Sequence, residues 1–291
     1  MAGAKYKAHD LDVELVFDRF LDEAAFDILQ RPMLDLLPQW SRDLQVWRAR
    51  QDKVPIDVGV PSSLGPTVTS AATERGPLYR QLVARHGPPA VERQSGSVEL
   101  RGSSAALTMV ISIDEVVASP LGPRTRLGNH ITFQVRGATI EGRTSAEWAR
   151  AAFVQLCAAL QPAWASAEHP GEYWAKVMSE SPSIQAVGRD FGRYLPGLFW
   201  LNGFGPAYVG LAGEQLLLAT PATEVVEAGD VIVIVRGDDP RAWASAASLE
   251  AERLIIDHLG ADLFFDRTEP DRAGRAPDWS AFSRAVDAGE G

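Results

Sequence analysis

Cysteine is almost absent from this chain. Its one cysteine, Cys157, excludes an intrachain disulfide and any cysteine-based zinc cluster, so nothing requires an oxidising compartment. No apolar run approaches the roughly 20 residues that span a bilayer. The first ten residues also lack the apolar core of a secretory signal peptide. We therefore expect a soluble, cytoplasmic protein that does not bind membranes.

Basic residues are in the minority. The chain has 28 Lys and Arg residues against 38 Asp and Glu residues, which gives a formal net charge of -10. This balance disfavours general affinity for the phosphates of nucleic acids or for anionic lipids. A basic protein partner suits it better.

Recognisable catalytic, metal and nucleotide motifs are also missing. The five histidines show no ligand spacing, and no serine lies in a nucleophile elbow. The segment 202–206, Asn-Gly-Phe-Gly-Pro, matches neither the dinucleotide-binding fingerprint nor the Walker phosphate-loop pattern. It predicts a tight turn instead. Cys157 falls within an apolar helical stripe, which indicates a core position rather than a nucleophile. We therefore predict no catalytic residue, no metal and no cofactor.

The composition that remains is that of a globular protein, with 46% hydrophobic and 23% charged residues. We predict a single domain over 1–291, with a weak subdivision near 180–195 as the other option. The fold class expected is α+β, with a mixed or mainly antiparallel sheet and amphipathic helices packed on it.

Four segments carry the strand predictions. Residues 11–17 alternate between apolar and polar, which is typical of a half-buried strand. Residues 106–117 and 130–136 are rich in β-branched side chains and predict two antiparallel neighbours. Residues 231–235 are a continuous apolar strand. The region 48–102, which lies between the first two of these segments, is punctuated by proline and glycine. It predicts surface loops, apart from a short helix at 78–83.

Two helices have recognisable starts. Thr144 and Glu147 have capping-box spacing and predict a helix that ends near Pro162. Asp239 and Pro240 form an N-cap and N1 pair for a second helix that ends before the glycine at position 260. Each helix follows a strand that ends in Val-Arg-Gly, so two pseudo-repeated strand-helix units are an option for the architecture. The predicted buried stripe of the second helix comprises Trp243, Ala247, Ala251, Leu254, Ile255 and His258.

Aromatic residues crowd into 173–208. Most should be core, but Trp and Tyr also anchor protein interfaces. Acidic side chains are the other candidates for contact with a basic partner. The candidate partner-binding residues are Trp200, Asn202, Phe204, Tyr208, Asp238, Asp239 and Asp266.

The segments 197–206 and 225–236, followed by Asp239, Pro240 and Trp243 and by the Phe-Phe-Asp-Arg ending at 264–267, resemble bacterial immunity proteins of polymorphic toxin systems. The group most similar is immunity protein 52, with type VI secretion immunity proteins as a looser relative. The resemblance covers about the last 100 residues. It implies a protein that binds and neutralises a cognate toxin in the producer's cytoplasm, and it transfers no catalytic residues.

Two alternatives remain open. One is an enzyme of an unrecognised family with a carboxylate-lined pocket, and a cleft that holds several carboxylates with a histidine would favour it. The other is a phage or secretion-system structural or assembly protein, which concentration-dependent self-association would favour. A flat or convex acidic face would favour the toxin inhibitor. The sequence assigns no oligomeric state.

Overall fold

The computed structural model describes residues 10–18, 48–51, 54–57, 98–103, 107–113, 130–136, 139–140, 142–178 and 188–279. The helix predicted at 78–83 lies outside these residues.

An eight-stranded antiparallel sheet forms the centre of the described structure, and its presence confirms the predicted α+β class. Every strand except the two at the edges has hydrogen-bonded neighbours on both sides. From one edge to the other, the strands are β11 (Glu224–Ala228), β12 (Val231–Val235), β10 (Leu201–Phe204), β9 (Trp164–Glu168), β1 (Leu11–Val16), β6 (His130–Val135), β5 (Leu107–Ile113) and β4 (Val98–Ser103).

The pairing of β5 with β6 confirms the antiparallel neighbours expected from 106–117 and 130–136. The N-terminal strand β1 is inserted between β6 and β9, with Leu11 opposite Val135 and Val16 opposite Trp164. These are long-range pairings, and no local sequence signal specifies them. The N-terminal segment therefore lies at the middle of the sheet.

Two short hairpins complete the strands. One pairs β2 (Arg48–Gln51) with β3 (Val54–Asp57), and the other pairs β7 (Thr139–Ile140) with β8 (Arg143–Thr144). The prediction of surface loops throughout 48–102 is therefore wrong at β2, β3 and β4. Proline was the misleading signal, because a two-stranded hairpin tolerates a proline in its outer positions that a central strand would not.

One face of the sheet is covered by helix α1 (Ser145–Leu160). Thr144 and Glu147 form the predicted capping box, and Gln161 ends the helix in the left-handed conformation. The helix buries its apolar stripe, including Cys157, against the strand residues Leu11 and Val13. Burial raises the pKa of the Cys157 thiol, as expected for a core cysteine.

The opposite face is covered by four helices: α2 (Pro170–Val177), α3 (Pro206–Ala212), α4 (Glu214–Leu218) and α5 (Ala246–Leu259). They share a second core cluster, to which α3 contributes Tyr208 and α4 contributes Leu217. The apolar strand β12 serves both clusters, with Val233 on the α1 side and Ile234 on the other. Burial on both faces explains its continuous apolar sequence.

The second predicted helix differs from its expectation. Asp239 caps a 3₁₀ turn, Pro240–Ala242, and α5 starts later, with Ser245 as its N-cap. Of the predicted buried stripe only Ile255 is buried, whereas Leu254 is 42% exposed. The pseudo-repeat is not observed either, because α1 and α5 pack on opposite faces of the sheet.

Candidate functional site

A polar strip crosses three neighbouring strands on the face opposite α1. Alternation along β1 directs Asp12 and Glu14 to this face. The register places Asp12 between Glu168 of β9 and Gln134 of β6. Glu14 lies between Ser166 and Thr132 in the same way. Hydrophilic side chains thus occupy a face to which β12 contributes Ile232 and Ile234.

The strip forms part of a cleft with a volume of about 390 Å³. Tyr173 of α2 and Arg189, which precedes β10, contribute to its walls. Three carboxyl groups and two guanidinium groups line it. The lining residues are Asp12, Val13, Glu14, Thr132, Phe133, Gln134, Arg136, Glu168, Tyr173 and Arg189.

One carboxylate in the cleft has a fixed cationic partner. Both terminal nitrogens of Arg189 donate to Glu14, at 2.6 Å to each carboxylate oxygen. Nη1 of Arg189 also donates to the hydroxyl of Tyr173 at 3.4 Å. This bidentate geometry neutralises Glu14 and orients Arg189. The cleft carboxyl groups that remain available to a cationic ligand are therefore those of Asp12 and Glu168.

Glu168 is the most buried acid in the cleft. Its side chain is 2% exposed, and its Oε2 has no hydrogen-bond partner within the described parts of the chain. Burial, together with the nearby charge of Asp12, raises the pKa of Glu168 well above its ordinary value. A buried carboxyl with an unused acceptor is costly unless it serves a ligand or holds a proton.

Asp12 faces Glu168 across the strand pair. Burial raises the pKa of Asp12 to about 6, although a hydrogen bond with Gln134 opposes the change. Two carboxyls that share one site cannot both ionise easily. The pair can therefore bind a cation or exchange a proton near neutral pH.

This raised pKa makes stability depend on pH. The folded state retains the Asp12 proton to about pH 6, whereas the unfolded chain loses it near pH 3.8. We expect the free energy of unfolding of the wild type, relative to Asp12→Asn, to fall by roughly 2 to 3 kcal/mol as pH rises through this window. Urea unfolding of both proteins across the window measures the difference. A constant difference would contradict the burial of this carboxyl.

An enzyme was expected to show a cleft that holds several carboxylates together with a histidine, and this cleft meets only the first part of that expectation. It holds several carboxylates, but no histidine is among its lining residues in the described structure. His169 follows Glu168 directly, yet its Nδ1 accepts the backbone N–H of Gly171 at 3.0 Å and caps α2. Within the described ranges, no group of three acidic, histidine or cysteine side chains is arranged to hold a metal ion.

The four predicted interface residues near β10 lie in the core. Trp200 is 2% exposed, and Asn202, Phe204 and Tyr208 are 0% exposed. The amide of Asn202 bonds both the N–H and the carbonyl of Phe199, each at 2.9 Å. None of the four lines the cleft, so they offer a partner no accessible surface, and the interface prediction does not fit them. They support the fold instead.

The three acidic candidates lie apart from the cleft lining. Asp239 caps the 3₁₀ turn and pairs with Arg241 at 2.7 Å. Asp266 accepts hydrogen bonds from Thr268 at 2.8 and 2.6 Å, and Asp238 is exposed. Their role in partner binding stays a prediction.

Sequence reasoning missed the residues that form the cleft. Asp12 and Glu14 were visible in the alternating pattern, but that pattern predicts a solvent-facing side for them. Glu14 is only 7% exposed, and its carboxylate pairs with Arg189. Glu168 and Arg189 carry no local signal. The pairing of β1 with β9 brings Glu168 opposite Asp12, and Arg189 reaches Glu14 from a segment 175 residues further along the chain.

Comparisons with known proteins add little. No protein-family model matches the chain, and no curated protein matches it. One solved structure is similar at 14% identity with a TM-score of 0.46, covering 94% of this chain and 80% of its own. It is named "Pseudomonas aeruginosa T6SS protein PA0821". A likeness of this degree supports neither a shared fold nor a shared function, and the resemblance to immunity protein 52 finds no support here.

Among the helices in the described ranges, none combines the length and the apolar character needed to cross a bilayer.

Proposed function

We propose that this chain is an immunity protein that binds and neutralises a basic protein toxin in the cytoplasm of the cell that produces both. The observation that carries the proposal is Oε2 of Glu168, a buried carboxyl oxygen of a cleft residue that has no hydrogen-bond partner in the described structure and that a cationic group of a partner could satisfy. The net charge of -10 supports it, because complementary charge speeds the encounter of two proteins.

The residues around the cleft suit binding. Glu14 is held by Arg189, which stabilises its charged form and weakens it as a base. Tyr173 adds an aromatic surface to the wall, and it stacks on Phe199 at 6.2 Å between ring centroids. A cationic group of a partner could pair with the one cleft carboxyl oxygen that lacks a hydrogen bond in the described structure, Oε2 of Glu168.

One observation favours a second candidate function. Asp12 and Glu168 both have raised pKa values in a cleft, and perturbed carboxyls of this kind are also found in active sites. The alternative is thus an enzyme that uses this carboxyl pair for proton transfer. The absence of a histidine from the cleft lining in the described structure does not exclude that chemistry.

Co-expression with the product of the adjacent gene tests the proposal. We expect the tagged chain to retain that product through purification and to restore growth to cells that express it. Asp12→Asn should weaken both effects at least tenfold if a cleft carboxylate is buried against the partner. Asp238→Asn is the matched control, since it removes one exposed carboxylate outside the cleft.

Three outcomes separate the candidates. Complex formation with growth rescue that depends on Asp12 supports the immunity function. A complex weakened by Asp238→Asn but not by Asp12→Asn moves the interface to the exposed acidic residues. Neither binding nor rescue contradicts the proposal and leaves the enzyme as the better account.

A further inference from the structure

The cleft contains a carboxyl oxygen that lacks a donor. Oε2 of Glu168 is buried and has no hydrogen-bond partner among the described residues. Asp12 lies directly opposite on β1, and both side chains line the same cavity. We propose that this cavity is the receptor for one arginine side chain of the toxin, with the carboxylates of Asp12 and Glu168 as its acceptors. The inference rests on the proposed function, because it names the group by which the toxin is held.

The strand register sets the spacing of the two acceptors. Asp12 and Glu168 are directly opposed on antiparallel strands, where Cβ atoms lie about 4.5 to 5.5 Å apart. A planar guanidinium has five N–H donors in a fixed fork and can serve two neighbouring carboxylates at once. Arg189 already shows this chemistry in the same cleft through its two bonds to Glu14.

The size and chemistry of the cavity favour arginine over other cations. A volume of about 390 Å³ is many times the roughly 30 Å³ of a water molecule, so a whole side-chain terminus fits. A metal ion would need a set of ligands that the described residues do not supply. A lysine ammonium is a compact, strongly hydrated point charge and matches two separated acceptors less well.

Binding of a guanidinium should release a proton. Burial raises the pKa of Glu168 well above its ordinary value, so its carboxyl holds a proton. A cation bound beside this carboxyl favours the charged form and lowers the pKa again. Affinity should therefore rise with pH. The other titratable and hydrogen-bonding groups around the pair are Asp10, Glu14, Thr132, Gln134, Arg136, Ser166, His169, Glu172, Tyr173 and Arg189. Among them Arg136 and Arg189 are cations and oppose binding, so the carboxyl pair must ionise for an arginine to enter.

Calorimetric titration of the full chain with N-acetyl-arginine amide tests the inference without the toxin. N-acetyl-citrulline amide is the matched probe, because it has the same shape without the charge. We expect saturable binding of the arginine probe alone. Its affinity should fall at least tenfold between about pH 8 and pH 5, because Asp12, with a pKa of about 6, gains its proton in that range. Titration in two buffers of different ionisation enthalpy should show proton release.

Two variants locate the site. Glu168→Gln and Asp12→Asn should each weaken the arginine probe at least tenfold, whereas Asp238→Asn should leave it unchanged. If one cleft variant does not fold, the other variant and the citrulline comparison still decide. Equal binding of both probes, arginine binding unaffected by both cleft variants, or no binding of the arginine probe would each overturn the inference. Tighter binding of lysine amide, Mg²⁺ or Ca²⁺ than of the arginine probe would also overturn it.

The two proposals fail separately. A stable toxin complex without arginine binding would retain the immunity function and reject this receptor. Arginine binding without any complex or rescue would retain the arginine site and reject the immunity function.

Discussion

Replacing Arg236 with alanine should lower the free energy of unfolding by about 3 to 5 kcal/mol. Arg236 follows β12 and is 3% exposed. Its Nη1 lies 2.5 Å from Oε1 of Glu172 on α2 and 2.8 Å from Oε2 of Glu252 on α5. Because Glu172 is 0% exposed, removal of the guanidinium leaves a buried carboxylate with less compensation. The expected loss follows from that burial.

The network around Arg236 joins three parts of the fold. Lys176 of α2 lies 2.7 Å from both Glu172 and Glu252, so two cations and two anions alternate. Lys176 also donates to the carbonyl of Leu198. The network therefore fixes α2 and α5 to the end of β12. Loss of Arg236 should loosen this attachment as well as lower stability.

Arg253 provides the matched control for this prediction. It also pairs with two carboxylates, Glu250 at 2.7 Å and Asp257 at 2.6 Å, but it is 56% exposed on α5. Solvent screening makes such pairs weak, so Arg253→Ala should leave the urea midpoint essentially unchanged. Urea unfolding followed by circular dichroism measures both variants. Equal losses from Arg236→Ala and Arg253→Ala would contradict the role of burial.

Phe204→Ala should cost about 3 to 5 kcal/mol of unfolding free energy and leave partner binding intact wherever the variant is folded. Phe204 ends β10, is 0% exposed and belongs to the second core cluster. Truncation removes a buried ring and creates a cavity that the surrounding sheet and helices cannot fill. The adjacent Gly205 packs too closely on the backbone of Pro162 and Ala163 to leave room for adjustment.

Trp174→Ala is the control for this second prediction. Trp174 is 38% exposed on α2, so its truncation should change stability far less than that of Phe204. Circular dichroism during urea unfolding gives the stability, and the co-expression assay gives partner binding. Loss of binding by a folded Phe204→Ala protein would restore Phe204 as an interface residue and contradict its placement in the core.

The helix α1 and the strand β12 were predictable because their signals are local. A capping box needs only Thr144 and Glu147 within one turn, and the structure shows both of its hydrogen bonds. A continuous apolar run such as 231–235 has few alternatives to a strand buried on both faces.

Aromatic content misled the sequence prediction of the binding site. Trp200, Phe204 and Tyr208 have the residue types of interface anchors, but the same types fill cores. Only the sheet topology decides between the two roles. The pairing of β10 with β9 and β12 encloses Phe204 between the sheet and the helical layer.

The sequence by itself determined the α+β class, the capped helix α1, the core position of Cys157 and the acidic charge of the chain. These properties follow from composition and from contacts within a few residues. Only the tertiary structure decided that Asp12 and Glu14 are enclosed, that Glu168 stands opposite Asp12, and that Arg189 pairs with Glu14 across 175 residues. The physical reason is that strand pairing between distant segments sets which side chains share a face, and that burial then sets their pKa values.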